Sequence, residues 1–433
     1  MLPKLTLMSA LEVLKNNLHF ARALIVDGRD RYFGVTRTAF SIEQIYRKYR
    51  GRAKVLSVEQ AELLLKDTHR ESADLICELC KENGAIWVKF AQFLSCRPDI
   101  LPLEYIQSLQ RLQNDANPAP FEDIHPMILD AWGRDWDKQF KSFNAIPAAT
   151  ASVAQVHRAR LVNGDEVAVK FQLPDARELF EQDSRVFKTF AGLLAPLVKE
   201  IDIKQVTDQL IDMTIEELDF TREATNLADF SSKTHLPGIK VPRLIESLSS
   251  ERIMVTEWIE GVKLNDYLHQ YPERAQSILT RLLNSYIQQI TQLGIYHADP
   301  HPGNFLITPD EEIAVLDYGA IVTLDAEQRI RYSNLLMGLM GLHTERLGEL
   351  FRKAGFLCER QEALEEISQR FIEEDRREKS VSDRLAEILD KLRRDRVKIP
   401  DSFVAMARVI ISVGGFLKRY DVPFTPTALP LAG

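Results

Sequence analysis

The chain has 433 residues, of which 45% are hydrophobic, 27% are charged and four are cysteines. A chain of this length exceeds one typical hydrophobic core and is predicted to form two or three domains or lobes. The formal net charge of −8 argues against general binding to nucleic acid. The low cysteine count argues against a disulfide scaffold and fits a reducing compartment.

Residues 1–138 are predicted to form a helical N-terminal extension. The stretch SVEQAELLLKDTHRESADLICELCKENG has the apolar spacing of a helix, with Ser57 as its cap and Gly84 at its end. Cys77 and Cys80 form a C-x-x-C within it, and the sequence contains no second such pair. We therefore interpret these cysteines as semi-buried helix thiols rather than as a metal or redox site.

Basic residues cluster near the N-terminus, namely Arg29, Arg31, Arg37, Arg47, Lys48, Arg50, Arg52 and Lys54. This cluster fits contact with a membrane surface and a solvated basic face equally well. The most apolar stretch, FVAMARVIISVGGFLKRY, is interrupted by Arg408 and is shorter than the ~20 residues of a membrane span. It is predicted to be a buried C-terminal helix. We expect no transmembrane segment and a cytoplasmic location, at most peripheral on the inner face of a membrane.

Residues 139–258 are predicted to form a small lobe around an antiparallel sheet. The segment SVAQVHRARLVNGDEVAVKFQ reads as two strands joined by a hairpin turn at Asn163 and Gly164. A turn, a strand and then V-A-V-K are typical of a nucleotide-binding lobe, where the turn is normally rich in glycine because backbone N–H groups approach phosphates. Here the turn contains no glycine; its residues include Ala149, Thr150, Ala151 and Ser152. The segment is either an altered phosphate-binding loop or an ordinary hairpin.

The most specific signal is HADPHPGNFLI, followed by IAVLDYGA. Asp299 and Asn304 have the D-x-x-x-x-N spacing of the protein-kinase catalytic loop. Asp317 follows thirteen positions later, which leaves room for strands FLIT and IAVLD with a turn at Pro309-Asp310. This hairpin would bring Asn304 and Asp317 together as an oxygen pair suited to Mg²⁺. D-Y-G then occupies the place of D-F-G, so the Asp317 carboxylate would bridge metal and phosphates.

A second metal interpretation concerns His297, Asp299 and His301, which could form a transition-metal cluster. The surrounding D-x-x-x-x-N and D-Y-G favour Mg²⁺ instead. No A-P-E follows, and the sequence passes from Gly319 to a predicted helix cap at Asp325 almost at once. This short segment leaves little chain for a peptide-docking shelf, so a protein substrate is not expected.

Lys170 lies on the predicted strand EVAVKF, where its cation would hold phosphate oxygens. A kinase-like fold also requires a helix carboxylate to hold such a lysine in place. The segment TIEELDFTREATN offers four, namely Glu216, Glu217, Asp219 and Glu223. Periodicity alone does not choose between them. We favour Glu223, with Glu217 on a different face of the same helix.

With these motifs, the chain resembles the UbiB/AarF family of atypical protein-kinase-like proteins from about residue 60 to the C-terminus. AATAS matches the alanine-rich loop of that family. VKFAQ matches its K-x-G-Q motif, with Lys89 and Gln92 retained and Ala91 in place of glycine. The family's E-x-D motif falls on Glu217 and Asp219. In that family the K-x-G-Q helix packs over the place where a peptide would bind, so these residues are expected to be regulatory.

The resemblance also implies nucleotide, metal or catalytic roles for Lys170, Glu223, Glu257, Ile259, Asp299, Asn304 and Asp317. Within this set, Glu223 would be the ion-pair partner of Lys170. Glu257 and Ile259 belong to VTEWIEG, which takes the place of the hinge that receives adenine. The implied cofactors are ATP or ADP and Mg²⁺.

The expected fold is α+β and kinase-like, with a small antiparallel-sheet N-lobe, a helical C-lobe over residues 259–433 and the helical N-terminal extension. The resemblance implies an atypical kinase-like ATPase or small-molecule kinase that supports ubiquinone or related isoprenoid-quinone biosynthesis. The alternative is a nucleotide-gated lipid-binding or scaffold protein with little turnover. Expected partners are an adenine nucleotide, a quinone-like lipid precursor and quinone-biosynthesis proteins, but not nucleic acid.

Overall fold

The structure is a computed structural model. It describes residues 29–84, 87–88, 91, 94–95, 101–109, 111–112, 118–151, 153–174, 176–194, 204, 207–208, 211–212, 214–215, 218–340, 346–358, 362, 364–366, 368–369, 381–395 and 397–423. Within these residues no helix is both long enough and apolar enough to span a membrane.

Helices make up most of the described chain. In chain order they are α1 (Arg29–Arg52), α2 (Val58–Asn83), α3 (Leu103–Leu109), α4 (Phe121–Trp132), α5 (Ala176–Leu194), α6 (Phe220–Lys233), α7 (Leu264–Gln270), α8 (Ala275–Gln288), α9 (Ala326–Leu339), α10 (Leu347–Lys353), α11 (Val381–Arg394) and α12 (Asp401–Arg419). The strands are β1 (Phe140–Phe143), β2 (Ala149–Thr150), β3 (Ala154–Leu161), β4 (Glu166–Gln172), β5 (Ile239–Lys240), β6 (Ile253–Glu257), β7 (Val262–Lys263), β8 (Ile295–His297), β9 (Phe305–Ile307), β10 (Ile313–Val315) and β11 (Ile321–Thr323).

The strands form three small sheets. In the first, β1, β3, β4 and β6 pair in that order and β2 pairs with β3. The second has the order β5-β10-β9-β7, and the third consists of β8 and β11. The third sheet is antiparallel, as are the pairs β9–β10 and β7–β9. The architecture is therefore α+β, as the sequence predicts.

The chain divides into two compact units. Unit 1 comprises Met1–Ala159, Val169–Asp219 and Glu251–Ile253; unit 2 comprises Arg160–Ala168, Phe220–Ser250 and Met254–Gly433. Each unit carries a different part of the predicted chemistry. The boundaries predicted from the sequence at residues 138 and 258 stay predictions.

Several local features follow from the sequence as expected. Ser57 caps α2 by a reciprocal capping box with Gln60, and the helix stops at Gly84, whose φ of 95° favours glycine. The β3–β4 hairpin turns through Gly164, with a φ of 98°. Asp325 caps α9, and its side chain accepts a hydrogen bond from the Gln328 amide at 2.8 Å. The FVAMARVIISVGGFLKRY stretch lies within the C-terminal helix α12 and the residue after it.

The segment around the E-x-D motif differs from the expected continuous helix. Helix α6 begins at Phe220, while Leu218 and Asp219 lie in a turn outside it. Leu218 is 2% exposed, and its carbonyl oxygen accepts a hydrogen bond from Gln172 Nε2 at 2.9 Å. Because this packing holds the chain at residue 218, the carboxylates before and after it do not share one uninterrupted helix.

The cysteine interpretation agrees with the structure. Cys77 is half-buried, Cys80 is buried, and both are free thiols on α2. Burial raises the pKa of the Cys77 thiol to about 11 and that of Cys80 to about 12. Such thiols are protonated at neutral pH and make poor nucleophiles or metal ligands.

Candidate nucleotide and metal site

The β9–β10 hairpin in unit 2 brings together the chain positions of Asn304 and Asp317. Its register pairs Val315 with Phe305 and Ile313 with Ile307. Beyond the strands, the Leu316 amide donates to the Asn304 carbonyl oxygen at 3.0 Å. The sequence-based prediction of two short strands joined by a turn at residues 309–310 is confirmed.

Asp299 and Asn304 are in direct contact. The Asn304 Nδ2 group donates to Asp299 Oδ2 at 3.0 Å and to the Asp299 carbonyl oxygen at 3.2 Å. These bonds use the nitrogen end of the amide, so its Oδ1 oxygen is turned away from Asp299. An amide oxygen held in this way is a suitable ligand for a hard cation.

His301 shapes the short helical turn that ends at Asn304. Its Nδ1 atom accepts a hydrogen bond from the Gly303 amide at 3.1 Å, which caps the turn over residues 302–304. A side chain at position 303 would bring its Cβ within 3.0 Å of that nitrogen. The histidine and the glycine therefore serve the backbone path of the loop.

His297 links Asp299 to Asp317 through hydrogen bonds to their backbones. Its Nδ1 atom accepts from the Asp299 amide at 3.2 Å, and its Nε2 atom donates to the Asp317 carbonyl oxygen. An amide donor on one side and a carbonyl acceptor on the other require the neutral ring protonated at Nε2. Burial lowers the pKa of His297, which agrees with that form. Both ring nitrogens are thus engaged, which argues against a transition-metal role for this residue.

Asp317 is oriented by the D-Y-G turn. Its Oδ1 atom accepts a hydrogen bond from the Gly319 amide at 2.8 Å. A Cβ at position 319 would approach the same oxygen to 3.1 Å, so glycine leaves the carboxylate room. Tyr318 lies between Asp317 and Gly319 in the sequence. Its ring is fully buried and contacts the rings of His297 and Phe230.

Helix α6 carries Glu223 against the D-Y-G backbone. The Tyr318 amide donates to Glu223 Oε1 at 3.4 Å, a long hydrogen bond, and Asn226 Nδ2 donates to the Tyr318 carbonyl oxygen at 2.9 Å. Glu223 is only 7% exposed. This helix therefore touches D-Y-G through both residues, and the pairing of Glu223 with Lys170 stays a prediction.

In unit 1, Lys170 lies on β4, between the buried residues Val169 and Phe171. It is itself half-buried, so its side chain belongs to the less buried face of the strand. The residues of the alanine-rich turn, Ala149 to Ala151, lie before β3 and are exposed or half-buried. The Ala151 amide donates to the Ala154 carbonyl oxygen at 2.7 Å, which closes the turn tightly.

Val153 anchors this turn. It is 7% exposed and packs in an apolar cluster with Ala176, Phe180, Ile211 and Leu218. Its carbonyl oxygen also accepts a hydrogen bond from the Leu173 amide at 2.9 Å, just after β4. The end of the turn is thus held in place by burial of the Val153 side chain together with this hydrogen bond.

The predicted hinge lies at the end of β6. Glu257 contacts Lys240 Nζ at 2.8 Å and the Arg243 amide at 3.2 Å through its carboxylate. The Trp258 amide donates to the Glu166 carbonyl oxygen at 2.9 Å, and Ile259 is 9% exposed. Because the Glu257 side chain is engaged with a cation, we expect a contact with adenine to use the backbone of this segment.

Four predicted residues lie outside the described part of the chain, namely Ser152, Lys89, Gln92 and Glu217. Asp219 is described and half-buried. Around the K-x-G-Q match, Trp87, Val88 and Ala91 are buried in a cluster that includes Leu109 and Val186. The Trp87 ring lies 4.6 Å from that of Phe187 on α5.

Comparison with known proteins decides the family. The model of the ABC1 atypical kinase-like domain matches residues 111–351, more than half of the chain. The chain belongs to the ABC1 family. The resemblance drawn from the motifs is thereby confirmed, and so is the kinase-like α+β fold.

Relatives of this ABC1 protein include kinases by name. A chloroplastic aarF domain-containing protein kinase of Arabidopsis thaliana is 31% identical over 370 residues, covering 83% of this chain and 52% of the relative. AarF domain-containing kinase 1 of Drosophila melanogaster is 30% identical, covering 65% of this chain and 57% of the relative. The chain thus spans little more than half the length of these two relatives.

A solved structure gives the same fold. It is that of Rv3197 of Mycobacterium tuberculosis in complex with erythromycin, with a TM-score of 0.60 and 27% sequence identity. The match covers 86% of this chain and 100% of the other. The part of this chain that shares the fold is longer than residues 111–351, which the ABC1 domain model matches.

The oxygen donors of this ABC1 domain fit Mg²⁺. Asn304 and Asp317 offer an amide and a carboxylate, and Mg²⁺ in phosphate sites takes one or two protein carboxylates and completes its shell with water and phosphate. Within the described residues no group of three or more His, Cys, Asp or Glu side chains could hold a metal ion.

Sequence reasoning missed three residues that support the ABC1 site. Gln289 lies in a π-helical turn, and its Oε1 atom accepts from the His297 amide at 3.0 Å. Asn226 holds Tyr318, as described above, and Arg408 of α12 donates to the Ala298 carbonyl oxygen. Of these, only Arg408 left a signal in the sequence, as a lone charge in the most apolar stretch.

Proposed function

We propose that this protein is an Mg²⁺-dependent, kinase-like ATPase or small-molecule kinase that acts in isoprenoid-quinone metabolism. The observation that carries this proposal is the contact between Asp299 and Asn304, next to the hairpin that ends in Asp317. These three residues supply a carboxylate, an amide oxygen and a second carboxylate, in the chain order of the kinase residues that carry out phosphoryl transfer. Membership of the ABC1 family supports the kinase-like part of the proposal.

Asp299 is the residue that would act on the group that attacks the phosphoryl group. Its Oδ2 atom is engaged by Asn304, which fixes the direction of the carboxylate. A carboxylate held in this way can accept the proton of an acceptor hydroxyl or orient a water molecule. Asn304 and Asp317 would hold Mg²⁺, which neutralises phosphate charge when bound.

Lys170 and the alanine-rich turn supply the phosphate-binding part. The lysine ammonium would hold α- and β-phosphate oxygens, with Glu223 as its ion-pair partner. Ala149, Thr150, Ala151 and Ser152 would cover the nucleotide, and the segment from Glu257 to Ile259 would receive adenine. ADP is an alternative nucleotide, because an alanine-rich turn approaches phosphates less closely than a glycine-rich one.

The acceptor is proposed to be a small molecule rather than a protein. After Gly319 the chain enters β11, which pairs with β8, and Asp325 already caps α9. The segment between them is too short to build a peptide-docking shelf. Lys89, Gln92, Glu217 and Asp219 are proposed to restrain access of larger substrates.

The test is ATP hydrolysis by the full chain with Mg²⁺, anionic vesicles and a quinone-precursor mimic. Wild type is expected to release phosphate or to phosphorylate the mimic, and Asp317→Asn is expected to lose that activity. Asp310→Asn changes an exposed acid in the same hairpin and serves as the matched control. Hydrolysis by Asp317→Asn at the wild-type rate would reject the proposal.

A second candidate is a nucleotide-gated binding module for a lipid-like or other small molecule. The structure of the Mycobacterium tuberculosis relative, solved with erythromycin, favours it, because that protein holds a large organic ligand on the same fold. The two candidates differ in turnover. Nucleotide binding of ordinary affinity without phosphate release, with or without the mimic, would favour the binding module.

Contact with a membrane surface is proposed for the tip between α1 and α2. Val55 and Val58 are 86% and 81% exposed there, and Arg52 and Lys54 lie beside them. Exposed apolar side chains flanked by cations suit an anionic bilayer. Val55→Asp with Val58→Asp should reduce flotation with anionic vesicles, whereas Val162→Asp, at a position 66% exposed in the β3–β4 hairpin, should not. Unchanged flotation would remove this part of the proposal.

A further inference from the structure

The loop that carries Asp299 departs from the protein-kinase pattern at one position. In that pattern the catalytic loop begins H-R-D, with an arginine between the histidine and the aspartate. Here Ala298 stands between His297 and Asp299, and it is 3% exposed. The motif itself therefore supplies no guanidinium beside the candidate catalytic carboxylate.

A guanidinium reaches the same peptide from the C-terminal helix. The Nη2 group of Arg408 donates a hydrogen bond to the Ala298 carbonyl oxygen. Arg408 is half-buried on α12, and its neighbours Ala407 and Val409 are at most 1% exposed. A half-buried cation is unfavourable unless it is hydrogen-bonded, and the contact with the Ala298 carbonyl oxygen supplies such a hydrogen bond.

The same helix holds the strand before the loop at a second point. The Tyr296 hydroxyl donates to the Ser402 carbonyl oxygen at 3.0 Å. Ser402 and Arg408 are six residues apart, or roughly 9 Å along a helix. Helix α12 therefore contacts the chain on both sides of His297, at residues 296 and 298.

The backbone around Asp299 leaves one carbonyl for this arginine. The Ala298 amide donates to the Ala320 carbonyl oxygen at 2.7 Å, and the Asp299 amide donates to His297 Nδ1. The Asp299 carbonyl oxygen accepts from Asn304. The Ala298 carbonyl oxygen, in a buried residue, accepts from Arg408. Without Arg408, the buried Ala298 carbonyl oxygen would lose this hydrogen-bond donor, which is energetically unfavourable. The peptide between residues 298 and 299 would therefore shift or rotate.

We propose that Arg408 is a positioning residue that fixes the 298–299 peptide and thereby the direction of the Asp299 carboxylate. Its guanidinium comes from α12, whereas the loop itself has alanine at the position of the H-R-D arginine. Arg408 lies outside residues 111–351, which the ABC1 domain covers, so the catalytic loop depends on a part of the chain beyond that domain. This inference rests on the proposed phosphoryl-transfer function.

The test compares four variants of the full chain in the Mg²⁺-ATP hydrolysis assay. Arg408→Met keeps the length of the side chain and removes its hydrogen bonds, and Arg408→Lys keeps the charge. Arg419→Met removes an exposed arginine from the last turn of the same helix and is the matched control. Arg408→Met is expected to lower kcat by roughly 10- to 100-fold while KM for ATP stays near the wild-type value.

Arg408→Lys should recover part of that loss, and Arg419→Met should behave as wild type. Methylguanidinium added to Arg408→Ala should also restore part of kcat, because it can replace the lost donor. A wild-type kcat in Arg408→Met would overturn the inference. So would a parallel loss of kcat, ATP binding and thermal stability with no rescue, since that pattern marks a purely structural residue.

Hydrogen exchange separates failure of this inference from failure of the proposed function. If wild type hydrolyses no ATP, the proposed function fails, and exchange of the amides of residues 296–304 decides on Arg408. Faster exchange there in Arg408→Met than in Arg419→Met supports the positioning role. Equal exchange in the two variants contradicts it.

Discussion

The loop that carries Asp299 in unit 2 and the alanine-rich turn of unit 1 are held in place by different forces. Around Asp299 and Asp317, His297 accepts a hydrogen bond from the Asp299 amide, Asn304 donates to the Asp299 carboxylate and Gly319 donates to the Asp317 carboxylate. The turn before β3 is instead anchored by the burial of Val153. A hydrogen-bonded loop fixes directions of lone pairs and protons, whereas an apolar anchor fixes position only.

Anchoring by Val153 would allow a turn without glycine to serve at the proposed phosphate-binding position. A glycine-rich turn approaches phosphate because its backbone can adopt conformations closed to other residues. Here Ala151 and Ala154 close the turn through their backbones, and Val153 locks it onto the cluster with Leu218. The turn gives up conformational freedom and gains a fixed position. We therefore expect substitutions in unit 2 to act on chemistry and those in unit 1 to act on stability and nucleotide affinity.

The largest effect is expected at Asp299. Asp299→Asn keeps the shape of the side chain but removes the basic oxygen that would accept a proton, and should lower kcat by roughly 10²- to 10⁴-fold. Steady-state hydrolysis of ATP measures this, with Asp310→Asn as the reference. The expected loss of kcat is at least roughly 10²-fold. A kcat that stays within about threefold of wild type would therefore show that the hydrogen-bonded loop has no chemical role.

Val153→Ala should act through stability rather than through chemistry. It removes two buried methyl groups from the cluster with Phe180 and Leu218, and should lower the free energy of unfolding by about 1.5–3 kcal/mol. Urea unfolding followed by circular dichroism measures the change. Val162→Ala, at a position 66% exposed, should be close to neutral. If both variants unfold alike, the turn is not anchored by Val153.

Ala151→Gly should have a smaller effect, on nucleotide affinity. Glycine relaxes the backbone of the turn by roughly 0.5–1 kcal/mol, so the ratio of ATP to ADP affinity should change by about two- to fivefold. Competition titrations with the two nucleotides measure that ratio. Identical ratios in variant and wild type would make this turn an ordinary hairpin.

The smallest effect is expected for Tyr318→Phe, despite its place in D-Y-G. The Tyr318 hydroxyl is buried and has no hydrogen-bond partner within the described residues. Removing an unsatisfied buried hydroxyl should leave the free energy of unfolding within about 1 kcal/mol of wild type, with a shift toward higher stability. Thermal unfolding checks this. A marked loss of stability would mean that the hydroxyl has a partner after all.

The sequence was sufficient for the parts of the site that are local along the chain. Spacing alone placed Asn304 and Asp317 at the ends of one hairpin, and the caps at Ser57 and Asp325 were predicted from single residues. Such features depend on neighbours only a few positions away. Local propensity and spacing therefore suffice to specify them.

The sequence did not predict the features that depend on contacts between packed residues outside their own segment. The expected helix through Glu217 and Glu223 is interrupted because Leu218 is buried and hydrogen-bonded to Gln172. Arg408 reaches the Ala298 carbonyl oxygen and Asn226 reaches the Tyr318 carbonyl oxygen from helices that are distant in the sequence, whereas Gln289 lies only eight residues before His297. A single polar residue in a helix has no periodic signature, so only its tertiary contacts identify it.

Mg²⁺-dependent ATP binding tests the central claim most directly. Titration of ATP into wild type with and without Mg²⁺, followed by calorimetry, is to be compared with Asp317→Asn under the same conditions. Mg²⁺ should tighten ATP binding to wild type, and this dependence should disappear in Asp317→Asn, while Asp310→Asn retains it. An equal dependence on Mg²⁺ in Asp317→Asn and wild type would contradict the assignment of Asp317 as a metal ligand.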